Sequence, residues 1–380
     1  MKQTARIIST YSADVFGVCS ALFELGGMVI MHDASGCNST YTTHDEPRWY
    51  DRDSMVYISG LSEMEAIMGD DEKLIGDIVA AAEDLQPRFI AVAGTPIPTM
   101  TGFDFEAVAE LIEQRTEIPS FGFSTTGMNT YIHGANMALE AITRRFVERK
   151  IAKTEFPSAN ILGLTPLDFT VNGSDEAIAK FLENAGFSVV SRWAMGSTLE
   201  EMAKAGSAHV NLVVSASGLG AAKALQEMFG IPYVVGVPVG NTYGSAVADA
   251  LKAAATTGEN QFPRCDHNTG DIVIIGEGIT SLSLASALEM TYGLGTKIIC
   301  PTEVSDGILR SKDSMVRSEE EIEKILSAAK MVIADPLYQP ICPEGTKFIS
   351  LPAEAFSGRI YRQQIPNLVV NFDDFVKEVL

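Results

Sequence analysis

The chain has 380 residues, 46% of them hydrophobic and 20% charged, which excludes a disordered or coiled-coil polypeptide and gives length for two or three domains of roughly 100 to 150 residues each. Its formal charge of -21, with 28 dispersed Lys and Arg and no basic stripe, argues against a nucleic-acid partner. No apolar run approaches the roughly eighteen residues of a membrane span, and the start MKQTARIISTYSADVF lacks a signal-peptide pattern, so the expected location is the cytoplasm with no membrane attachment.

Strand-like apolar runs alternate with helical patterns along the chain, the signature of parallel sheets with helical crossovers. The expected fold class is α/β: three consecutive Rossmann-like domains, at residues 1–152, 153–265 and 266–380, each a parallel sheet flanked by helices. In the first, a helical stretch over Val15–Leu25 precedes strands at Met28–Asp33, Ser54–Gly60, Phe89–Thr95 and Pro119–Thr125. Amphipathic helices are predicted at Glu72–Leu85, Asp104–Glu117 (with Asp104 as N-cap) and Asn129–Lys150. A polar connector at Lys153–Ala159 leads to strands in NILGLT, FSVVSRWA, VNLVVSAS and PYVVGVPVG. The third domain opens at DIVIIGEGI, continues through KIICPTE, MVIADPLYQ and KFISLP, and ends in a helix from about Asp373.

Ligands of parallel sheets bind where strands end, so those junctions carry the candidate chemistry. Five cysteines, an odd number spread along the chain, do not read as a disulfide framework and raise metal binding or reactivity instead. MVIMHDASGCNST places Cys37 just after a buried strand, on a turn where Gly36 lets another group approach the backbone. Cys19 lies in the helix before that strand. Thiolates bind soft metals and iron-sulfur clusters, whereas the ordinary alternatives are a core residue at Cys19 and a loop thiol at Cys37; spacing leaves both open. Cys265, Cys300 and Cys342 sit apart and receive no chemistry. The stretch Thr43–Asp53, with His44, Asp45, Glu46 and Arg48, reads most simply as a solvated surface loop. Gly276-x-Gly278 lacks the third glycine of a dinucleotide fingerprint and reads as a strand-to-helix turn. No Gly-x-x-x-x-Gly-Lys-Ser/Thr loop is present, so this chain is not expected to hydrolyse ATP.

The stretch Cys19 to Cys37 resembles the P-cluster region of nitrogenase component 1 subunits, where a first cysteine precedes a strand ending in His-Gly-x-x-Gly-Cys; here the loop reads His32-Asp33-Ala34-Ser35-Gly36-Cys37. Met68–Ile78 is similar to that family's Gly-Gly-x-x-Lys-Leu segment, and Phe89–Val108, Glu227–Gly240 and Lys297–Gly307 follow in the family's order. The resemblance implies the catalytic component of a nitrogenase-like oxidoreductase, with Cys19 and Cys37 as metal ligands and Gly36 beside them. The family's third cysteine, after FIAVAGT, is replaced by Thr95-Pro96. Two thiolates per chain against the four ligands of a cubane imply a 4Fe-4S cluster shared between subunits, in a homodimer or in a heterodimer with a related component 1 subunit.

Nitrogenase α-subunits anchor their substrate-reducing cofactor through a cysteine where this chain has Val214 and Ser215, and no His follows His267, so dinitrogen is not the expected substrate. The resemblance further implies an ATP-dependent iron-protein reductase as electron donor and a small-molecule substrate, such as a tetrapyrrole or another unsaturated or thioether compound. In that setting His44 and Asp45 are the catalytic candidates, delivering protons between cluster and substrate. His32 would hydrogen-bond the cluster loop or serve as a structural histidine, and Asn129, Tyr131 and His133 would line the same interface or simply pack. The alternative function is a non-catalytic scaffold or carrier for metallocofactor assembly.

Overall fold

The computed structural model describes residues 6–9, 12–36, 38, 46–266 and 270–380. Among them three all-parallel sheets follow one another in sequence. The first contains β1 (Met28–Met31), β2 (Met55–Ile58), β3 (Ile90–Ala93) and β4 (Ser120–Phe123) in the order β2-β1-β3-β4. The second contains β5 (Ser158–Leu162), β6 (Ser188–Trp193), β7 (Val210–Val213) and β8 (Tyr233–Val235) in the order β6-β5-β7-β8. The third runs β11 (Ser314–Met315), β10 (Thr296–Cys300), β9 (Ile272–Ile275), β12 (Met331–Ala334), β13 (Lys347–Ser350).

Central strands such as MVIM and IAVA are buried along their whole length because helices cover both faces, which is why they read as unbroken apolar runs. The period of two divides their side chains. Val29 and Met31 face the helix Asp14–Leu22, while Met28 and Ile30 meet the helices Asp71–Leu85 and Phe105–Thr116 through Leu74, Ile75, Val108 and Ile112. The expected cap is present, with Asp104 accepting a hydrogen bond from the Ala107 amide at 3.0 Å. Sequence periodicity did not indicate the helix Asn241–Thr257, and the terminal helix starts earlier than expected, at Leu368.

The helix Tyr131–Phe146 joins the units. It lies against the helix Asp14–Leu22 so closely that a Cβ on Gly134 would stand 1.9 Å from the Asp14 carbonyl oxygen, and one on Gly17 would stand 1.9 Å from that of Tyr131. Asp14, fully buried, accepts hydrogen bonds from the Thr126 and Gly127 amides at 3.0 and 2.8 Å, which pins the turn leading into the long helix. On its far side Asn136 donates to the Ala216 carbonyl at 2.7 Å and accepts from the Gly220 amide at 2.6 Å, and Thr130 binds Glu303. One continuous apolar core therefore runs through all three sheets. No helix among the described residues is long and apolar enough to cross a membrane.

Replacing Gly134 by alanine should lower unfolding stability by about 2 kcal/mol or more, because backbone rather than a movable side chain occupies the space. Gly76→Ala, on the exposed face of the helix Asp71–Leu85 where an added Cβ meets nothing within 4 Å, should instead raise it by about 0.5–1 kcal/mol. Urea unfolding of the two variants checks the pair, and equal effects would contradict the crossing geometry.

Candidate functional site

Loops at the C-terminal ends of strands in the second and third sheets surround a cavity of ≈ 90 Å³, space for several waters or one small solute. Its walls are largely apolar, with Leu167, Phe169, Val237, Ile275, Leu284 and Phe356 prominent. The polar side chains reaching it include Tyr131, Asp168, Glu277, Ser281 and Asp335; none of the lining residues is Lys, Arg or His.

Each carboxyl is placed by a strand end. After β5 the chain turns through Gly163, at φ +91°, into the short helix Pro166–Phe169 that carries Asp168. One Asp168 oxygen accepts from the Tyr131 hydroxyl at 2.5 Å, and the other accepts from Thr165 at 2.7 Å and Ser217 at 3.3 Å. After β9, Glu277 caps the helix Gly278–Tyr292, accepting from the Thr280 amide at 2.8 Å and from the Ala216 amide at 2.9 Å. Asp335 follows β12 and accepts from the Leu337 and Ala353 amides, both at 2.9 Å, and from the Ser357 hydroxyl at 2.8 Å. Groups from all three sheets thus converge on one place.

Burial pushes Asp168 and Glu277 up together, and the difference lies in what opposes it. Hydroxyl donors favour the charged form of Asp168. At Glu277 the burial is reinforced by the charge of Asp168, and the carboxyl is pushed up to about 7 despite its amide donors and its helix N-terminus. Near neutrality the pair therefore titrates as a unit that shares a proton. Tyr131 is pushed well above its ordinary range by burial, so it remains a donor.

Of the site residues expected from sequence, Cys37, His44 and Asp45 lie outside the described residues. Gly36 is exposed, and an added Cβ there would meet nothing within 4 Å. Cys19 has 0% exposure and occupies the i+4 place in the apolar stripe Val15, Val18, Cys19, Leu22. Burial, reinforced by the charge of Glu46, pushes its thiol far up. Among the described residues no three His, Cys, Asp or Glu side chains are grouped to hold a metal. The Cys19 sulfur lies in the apolar core among the described residues, and Cys37, its partner in the expected ligand pair, lies outside them.

The neighbouring residues are held by internal contacts. His32 points to the opposite face of β1, where it hydrogen-bonds Ser59 at 2.9 Å and its ring lies 4.4 Å from that of Phe103. Burial lowers it to about 4, so it is neutral at physiological pH. Thr95, in place of the family's third cysteine, donates to the His32 carbonyl at 2.9 Å. The expected solvated loop is buried at Glu46 and Arg48: Arg48 pairs with Glu46 at 2.6 Å and Glu24 at 3.1 Å and caps the Ser20 carbonyl at 2.8 Å. Tyr131 enters the cavity, while His133 is exposed. Sequence reading missed Asp168, Glu277 and Ser281. The available signal was an acid between two glycines directly after an apolar strand.

Three parallel-sheet units with a ligand-sized space at their strand ends define a Rossmann-type, multi-unit α/β protein. The family model of nitrogenase component 1 type oxidoreductases matches residues 14–264, and the chain belongs to that family. It is 26% identical over 184 residues to the nitrogenase iron-molybdenum cofactor biosynthesis protein NifE of Clostridium pasteurianum, covering 47% of this chain and 38% of that one. Its identity to the NifE of Methanosarcina barkeri is 29% over 191 residues, covering 47% and 40%. With a light-independent protochlorophyllide reductase subunit of Prosthecochloris aestuarii it is 27% over 176 residues, covering 45% and 32%. The matched stretch thus spans 40% or less of each of these relatives. The solved structure "Nitrogenase Cp1 at pH 6.5" superposes with a TM-score of 0.70 at 14% identity, covering 100% of this chain and 94% of that one, which shows a shared fold. Glu277 lies beyond the family-model match but within the shared fold.

Because Glu277 binds its proton more tightly folded than unfolded, its favourable contribution is fully present below about pH 4.5 and is lost as pH rises through about 7. Of the titratable groups that influence it, Asp168 shares the proton, while Tyr131 and Cys300 are both pushed up by burial and stay neutral in this window. The stability of the wild type relative to Glu277→Gln should therefore fall between pH 5 and 8, by on the order of 2–3 kcal/mol, and then level off. Urea unfolding across that range tests this, and a flat difference would contradict the raised affinity.

Proposed function

We propose that the chain is a component 1-type reducing subunit whose small-molecule substrate occupies the central cavity while a separate ATP-dependent reductase supplies single electrons. The observation that carries this reading is the carboxyl pair in an apolar cavity at the strand ends. Single-electron reduction consumes protons, and the pair of Asp168 and Glu277 shares one near neutrality in a largely apolar cavity. Asp168 is held by the Tyr131, Thr165 and Ser217 hydroxyls. The reductase among the relatives supports the reading at the level of reaction class.

Size separates the alternatives. A cavity of ≈ 90 Å³ is far below the roughly 300–1,000 Å³ of pockets for drug-sized ligands, which favours a compact unsaturated or sulfur-containing compound over a tetrapyrrole. It also disfavours the scaffold role suggested by the NifE relatives, since a metallocofactor would not fit. In this reading the chain divides near residues 152 and 265, acts in the cytoplasm, and pairs with an identical or related component 1 chain. Cys19 and Cys37 are the proposed ligands of a shared 4Fe-4S cluster, with His44 and Asp45 as proton donors near it. A cluster there would supply one-electron transfer.

With a candidate reductase, ATP and dithionite, the wild type should convert a compound in a metabolite extract, and Glu277→Gln should slow that conversion at least tenfold while ATP hydrolysis continues. Absence of any ATP-dependent product with every reductase tried would sink the proposal. Anaerobic iron counting checks the ligand assignment separately: Cys19→Ala and Cys37→Ala should each lose the wild-type iron, and full iron content in both would overturn it.

A further inference from the structure

The cavity has an unbalanced charge inventory. Asp168, Glu277 and Asp335 all reach it, their hydrogen bonds come only from hydroxyls and amides, and none forms an ion pair with a described residue. No Lys, Arg or His lines the space. One proton shared by Glu277 and Asp168 still leaves negative charge in an apolar enclosure, and an uncompensated buried charge is costly. The second observation is independent of the acids. Ser281, on the first turn of the helix Gly278–Tyr292, is 5% exposed and lines the cavity, and its hydroxyl has no hydrogen-bond partner among the described residues. A hydroxyl with no protein partner that opens on the cavity from an otherwise buried residue can bond a ligand atom in place of water.

We propose that this cavity binds a small unsaturated organic cation, such as an amidine or a related nitrogen cation, with its positive charge against Asp168 and Glu277, a polar atom at Ser281 and its carbon atoms against Val237, Val239 and Phe356. The proposal names the substrate class for the cavity and rests on the reading that substrate is bound there. Apolar walls suit carbon rather than a hydrated metal ion, and the described residues group no set of metal ligands. The cavity volume limits the ligand to a few heavy atoms. Occupation by a cation also favours the charged form of the pair, so the shared proton is held less tightly: without reductase it is released to solvent, and during turnover it is the proton passed to the substrate.

Titration calorimetry on the full chain, without reductase or ATP, tests this with methylammonium, acetamidinium and tetramethylammonium chlorides at constant ionic strength. Acetamide serves as the neutral isostere of acetamidinium, and sodium chloride as the salt control. At least one cation should bind saturably, acetamide should not, and the enthalpy at pH 6.5 should change with the ionisation heat of the buffer, reporting proton release. Glu277→Gln should weaken binding at least tenfold, and Ser281→Ala should weaken it severalfold without touching the carboxyl pair. No saturable binding of any of the three cations, equal binding of acetamide, or unchanged affinity in both variants would overturn the proposal. Cation binding without reductive turnover would sink the reducing role alone, whereas turnover of a neutral compound with no cation binding would sink the cation site alone.

Discussion

The hydrogen bond from Tyr131 to Asp168 depends on a backbone contact some distance from it. Gly17 and Gly134 let the helices Asp14–Leu22 and Tyr131–Phe146 touch backbone to backbone, so the start of the long helix has one position relative to the first sheet. Asp14 holds the preceding turn through the Thr126 and Gly127 amides. Tyr131 then arrives at Asp168 of the second unit, and Thr130 at Glu303 of the third. A side chain at either glycine would push the helices apart and withdraw the donor from the buried carboxylate. The packing of small residues and the chemistry of the cavity are therefore one constraint.

The same arrangement explains how acids persist in the interior. A carboxyl inside a protein usually gains a cationic partner, as Glu289 does with Arg310 at 2.8 Å and Glu354 with Arg362. Asp168 and Glu277 have hydroxyls and amides instead, so a proton partly replaces the missing cation and the pair titrates near neutrality. A structural ion pair would be more stable and chemically silent. The strand ends give up that stability for a site whose charge can change.

Much of the fold was legible in the sequence because helix and strand periods differ and parallel strands are unbroken apolar runs. Met28–Met31, Ile90–Ala93 and Ile272–Ile275 could be read from the residues alone, as could the cap at Asp104. The site was less legible, and the reason is physical. Cys19 was weighed for its chemistry, although its place in the stripe with Val15, Val18 and Leu22 already turned it inward. Glu46 and Arg48 looked solvated because polar residues usually are, but their mutual pairing against Glu24 and the Ser20 carbonyl lets them be buried. Asp168 and Glu277 are over 100 residues apart, and only the meeting of two sheets makes them a pair. A single acid in a turn carries no mark of a partner in another unit, although Gly276-Glu277-Gly278 after an apolar strand was a local hint.

The chemistry of the cavity turns on Glu277 holding a proton at the pH where the protein works. Infrared difference spectroscopy reads this directly, because a protonated carboxyl gives a C=O stretch above both the amide and the carboxylate bands. The wild type should show such a band at pH 6 that fades through about pH 7, absent from Glu277→Gln and displaced to lower pH in Asp168→Asn. A wild type with no protonated-carboxyl band at pH 6, or a band that survives unchanged in Glu277→Gln, would contradict the account.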